Sequence, residues 1–108
     1  MIRLLTSKQR AFLRSLANPL DPILHVGKGE LNDAIYKQAD DALTAREIIK
    51  GKALEASPLT SREAAERIAA AVHAEVVQVI GRTFVLYRRN EKEPKIQLPR
   101  EKQGGGKA

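Results

Sequence analysis

At 108 residues and 11.9 kDa the chain has the size of one domain, and neither its length nor its 43% hydrophobic content leaves room for a second core or a membrane-spanning run of about 18 apolar residues. The absence of cysteine excludes disulfide frameworks, thiolate zinc sites and cysteine nucleophiles, and with no secretory apolar segment the cytosol is the expected compartment. Nineteen Lys and Arg against 13 Asp and Glu give a net charge of +6, divided as +4 over residues 1–20, −3 over 21–81 and +5 over 82–108, so both ends suit a polyanionic partner.

Thr6 followed three residues later by Gln9 has the spacing of a capping box and predicts a helix over about residues 7–17. Its Phe12, Leu13 and Leu16 share one face, while Arg10 and Arg14 stand at i and i+4 on another, a like-charge pair that an anionic partner would relieve. The same acid-free, Arg-bearing stretch has the amphipathic character of an organelle transit peptide, but the capping box and the following Pro19 and Pro22 favour a folded element. Residues 22–26 read as a short buried strand broken by Gly27-Lys28-Gly29. A second helix follows, with Asn32 and Asp33 at its start and Leu31, Ile35, Ala39, Ala42 and Leu43 at helical spacing.

In the segment 47–55, placing Ile49, Gly51 and Ala53 toward the helices turns Ile48, Lys50, Lys52 and Leu54 to the other face, so two lysines stand on the outer side of the sheet. Thr60 and Glu63 form a second capping box and open an alanine-rich helix ending near His73. Two strands, 75–80 and 83–88, are joined by Gly81-Arg82 as a tight hairpin turn. Beyond Tyr87 only Ile96 and Leu98 could anchor the chain, and residues 101–108 read as a flexible basic tail after a single domain over 1–100. The order αβαβαββ predicts an α/β fold of the α+β two-layer kind, with helices on a mixed four-stranded sheet.

The strand, glycine turn and helix around Gly27–Gly29 have the chemistry of a phosphate cradle, since free N–H groups and the positive helix end favour an anion; an ordinary glycine turn explains the same residues. No Walker loop is present. His25 could serve as a base in a phosphate-handling enzyme, but no serine, cysteine or second histidine is placed by motif to complete a relay, and His73 fits the C-terminal end of the third helix. No metal-ligand spacing appears, so no metal, no cofactor and no catalytic residue is expected. Only Phe12, Tyr36, Phe84 and Tyr87 are aromatic, too few for a base-stacking platform, which favours structured RNA read by shape and phosphate. A DNA or chromatin binder has the same composition.

The stretches LTSKQRAFLRSLA, PILHVGKGEL, REIIKGK, VQVIGRTFVLYRRN and KIQLPR, in that order over about residues 4–100, resemble the YhbY-like proteins of the CRM family of chloroplast RNA splicing and ribosome maturation domains. The resemblance implies a stand-alone RNA-binding domain similar in fold to the C-terminal domain of translation initiation factor three. It also implies ribosomal RNA or pre-ribosomal particles as the partner; a monomer is expected, and the composition gives no expectation of a membrane partner. It assigns RNA contact to the loop Gly27, Lys28 and Gly29, to Lys8, Arg10 and Arg14 of the first helix and to Lys50 and Lys52, with Arg82 of the hairpin turn counted beside them. The family loop is Gly-x-x-Gly, and Glu30 stands where its closing glycine is usual, so a carboxylate faces any phosphate that approaches there.

Overall fold

Each helix begins where a side chain satisfies the first free N–H groups. The computed structural model describes residues 5–29 and 31–98, and its elements are α1 (Ser7–Ala17), β1 (Leu24–Val26), α2 (Asp33–Arg46), β2 (Ile48–Ala53), α3 (Ser61–Val72), β3 (Glu75–Ile80) and β4 (Thr83–Tyr87). Thr6 Oγ1 accepts from the Gln9 N–H and Gln9 Oε1 from the Thr6 N–H, both at 3.1 Å. Thr60 and Glu63 repeat this box at 3.1 and 2.9 Å, and Asn32 Oδ1 caps α2 through the Ile35 N–H at 3.0 Å. The expected element order stands.

The strands form one mixed sheet in the order β1-β2-β4-β3, with β1 parallel to β2 and the other two pairs antiparallel. Gly81 closes the hairpin at φ +57°, where the first of the two loop residues needs the left-handed region that glycine enters freely. At Gly51 the requirement is space, because an added Cβ would overlap Cζ and Cε1 of the Phe84 ring on β4.

The fold class holds, but the two-layer detail needs correction. On one face α2 and α3 close a core around Leu24, Val26, Ile49, Phe84 and Leu86. On the other, α1 packs Leu13 and Ala17 against Ile48, Val77, Val85 and Tyr87, joined by Leu16, Leu20, Ile96 and Leu98. The reason lies in β2 and β4, which carry apolar residues at consecutive positions and so make the sheet apolar on both faces, each of which must be covered. A bulge between Val76 and Gln78 lets Val77 point toward α1.

Two charged side chains, Glu47 and Arg88, fix the end of β4 and the segment that follows it. Glu47, the C-cap of α2, is wholly buried, and its carboxylate accepts from the backbone N–H groups of Asn90 (2.6 Å), Lys95 (2.8 Å) and Ile96 (2.6 Å). Residues 90–96 are thereby drawn back over the sheet, so Ile96 and Leu98 do anchor the chain after β4. Arg88 ties β4 to both helices of the first face, donating to Asp40 Oδ1 (2.6 Å), Val72 O (2.8 Å) and Thr44 Oγ1 (2.8 Å). The expected tail over 101–108 lies outside the described residues.

Candidate nucleic-acid interface

Since Leu24 and Val26 enter the first core, His25 between them faces the α1 side, and the same alternation puts Lys50, Lys52 and Thr83 there. Strand pairing aligns His25 with Lys52, Lys52 with Thr83 and Thr83 with Ile80, a row that crosses all four strands. α1 covers the other end of this face, leaving His25 exposed and Ile80 60% exposed. The predicted outward turn of Lys50 and Lys52 is therefore observed, and Lys50 Nζ reaches 3.5 Å from the carbonyl of Asn18, where a cation meets the negative end of α1.

Beyond the end of β1, Lys28 and Gly29 are exposed and Gly27 is half-buried. Neither glycine has positive φ; a Cβ at Gly27 would make ordinary contact with Leu54 Cδ1 at 3.7 Å, and one at Gly29 would meet nothing within 4 Å. The fold itself thus has no need of glycine at position 29. Glu30 lies outside the described residues.

The arginines of α1 have separate surroundings. Arg10 is half-buried, and its Nη1 donates to the carbonyls of Val76 (2.8 Å) and Val77 (3.4 Å) at the β3 bulge. Its expected place on an open basic face is corrected accordingly: the bulge leaves carbonyls without ladder partners and the guanidinium fills that need. Arg14 is half-buried in the last turn and Lys8 is exposed.

α1 runs across the sheet from Arg10 over β3 to Asn18 beside β2, whereas the Gly27–Gly29 loop follows β1 at the opposite edge, about 14 Å from β3 by strand spacing. Lys50, Lys52 and the loop therefore belong to one side of the molecule and Lys8 to the other, with Arg82 exposed at the hairpin tip between β3 and β4. Sequence reasoning treated His25 only as a base or a strand histidine; its alignment with Lys52 depends on which strands pair, for which no local signal exists. His73, exposed at the C-cap of α3 with φ +60°, lies on a different element.

The described chain matches the model of the CRS1/YhbY (CRM) domain over residues 5–88. It is 43% identical over 96 residues to the probable RNA-binding protein YqeI of Bacillus subtilis, covering 89% of this chain and all of that one. An RNA-binding protein of Haemophilus influenzae is 38% identical over 97 residues, covering 90% and 97% of the two chains. The solution structure of a hypothetical protein from Staphylococcus aureus shares the fold with a TM-score of 0.73 at 44% identity, over 89% of this chain and the whole of the other. A family match spanning most of the chain, together with relatives aligned end to end, places this protein in the CRS1/YhbY (CRM) domain family.

Proposed function

We propose that this protein is a non-enzymatic binder of structured RNA that grips the phosphate backbone with the Gly27–Gly29 loop and with Lys50, Lys52 and His25 on the open half of the sheet. The observation that carries the reading is Gly29: an exposed glycine that neither φ nor packing demands leaves room for a backbone to approach the loop N–H groups. The RNA-binding names of the Bacillus and Haemophilus relatives support it. Lys8, Arg14 and Arg82 add long-range attraction, whereas Arg10 acts on the fold. The finer form of the reading, drawn from the family resemblance, is ribosomal RNA of large-subunit precursors as the target of a monomer in the cytoplasm.

The test is titration of a structured ribosomal RNA fragment over a range of salt concentrations, with duplex DNA as competitor. Neutralising about four or five phosphates gives a slope of log affinity against log salt of about −3 to −4. A flat dependence, or displacement by duplex DNA at equal concentration, contradicts the proposal.

A further inference from the structure

β1 begins only at Leu24, paired with Gly51, so the first residues of β2 extend past it. The turn Pro19–Asp21 spans the gap, and a cleft of about 330 Å³ remains between them. It is lined by the half-buried Leu20 and Ile23, by the edge of β2 at Ile48 and Ile49, whose side chains enter the two opposite cores, and by the charged Asp21, Arg46 and Lys50. Among the described residues Asp21 and Arg46 form no ion pair with each other or with any third group, although both are exposed at the same opening. Opposite charges held apart at the mouth of a partly apolar cleft leave donors and an acceptor available to a ligand that carries both kinds of group.

Resting on the reading of the protein as an RNA binder, we propose that this cleft holds one unstacked nucleotide of the bound RNA. The volume is at the small end of small-molecule sites, about 300–1,000 Å³, enough for a single nucleotide and too small for a stacked run. Arg46 and Lys50 supply donors for its phosphate, the half-buried Leu20 and Ile23 cover part of a base face, and Asp21 accepts from an exocyclic amine. Uracil has no such amine, so cytosine, adenine and guanine are preferred over it. The cleft opens beside Lys50, one of the lysines assigned to phosphate, so a backbone running along the sheet face can turn one base inward without leaving that track. In a domain with four aromatic residues this gives a single point of base readout that needs no stacking platform.

The experiment is a heteronuclear NMR titration of the full chain with the four nucleoside monophosphates, inorganic phosphate and ribose 5-phosphate, repeated with Arg46→Ala. Cytidine, adenosine and guanosine monophosphates should shift the amides of Ile23, Ile48 and Ile49 saturably. Uridine monophosphate should bind about threefold more weakly, and Arg46→Ala should weaken binding about three- to tenfold. Arg46 is exposed and forms no ion pair among the described residues, so the variant's unperturbed spectrum serves as the control for folding. The proposal is overturned if inorganic phosphate reproduces the same shifts, if the shifts fall only on Lys28, Gly29 and α1, or if none occur. Structured RNA titrated onto both proteins separates the two readings. Binding that persists without a cleft response sinks the nucleotide site alone, and no RNA binding at low salt sinks the wider reading whatever the mononucleotides do.

Discussion

The two faces of the sheet are closed by different means. On the α2 and α3 side, twelve buried residues among those described, all aliphatic apart from Phe84, interdigitate under two amphipathic helices, and burial holds the layer with Arg88 adding bonds at one end. On the α1 side the buried cluster has half that number, and charged groups complete it: Arg10 reaches the bulge carbonyls and Glu47 gathers the segment after β4. A small apolar surface can still fix its cover when buried polar groups are fully satisfied, and the half of this face left uncovered is the one that displays Lys52 and His25.

The sharpest way to break this comparison is Glu47→Ala. It leaves three backbone N–H groups without their acceptor inside the fold, and the expected loss is about 3–5 kcal/mol by denaturant unfolding, with faster hydrogen exchange at Lys95 and Ile96. Glu47→Gln, which keeps one acceptor oxygen, should lose less. If Glu47→Ala unfolds like the parent, the second face is held by its apolar contacts after all. Gly51→Ala probes the aliphatic side, where the new methyl meets the Phe84 ring on close-packed ground; about 1–3 kcal/mol should be lost, and a melting temperature equal to the parent's would show a softer core than described.

Arg10→Ala removes the guanidinium from the bulge and should cost about 1–2 kcal/mol, whereas Arg14→Ala should leave thermal melting nearly unchanged. Equal effects from the two arginines would erase the distinction drawn between them. The smallest effect runs the other way: His73 closes α3 in the left-handed region, so His73→Gly should raise stability by about 0.5–1 kcal/mol, readable as a small rise in melting temperature.

The same contrast explains what could be read from the sequence. Caps and periodicity are local, so Thr6 with Gln9, Thr60 with Glu63 and the Gly81-Arg82 turn marked the elements well, and alternation along β2 placed Lys50 and Lys52 correctly. Non-local pairings left no such trace. Nothing near Glu47 says that its carboxylate will serve amides more than 40 positions later, and Arg10 meets Val76 and Val77 across 66 and 67 positions. The expectation that Arg10 stands free failed because a helix face says which residues share a side and not what covers that side. For the candidate site, the loop and the lysines were legible as composition, while the row from His25 to Ile80 required the strand order.

The central claim, that the Gly27–Gly29 loop meets the RNA backbone, is tested most directly by Gly29→Ala, measured as affinity for structured RNA at one fixed salt concentration beside a thermal melt. The added methyl enters open space at an ordinary backbone angle, so the melt should be unchanged or slightly raised, while affinity should fall about fivefold as one loop N–H loses its phosphate. Unchanged affinity with unchanged stability would make the loop a plain turn and move the RNA off it.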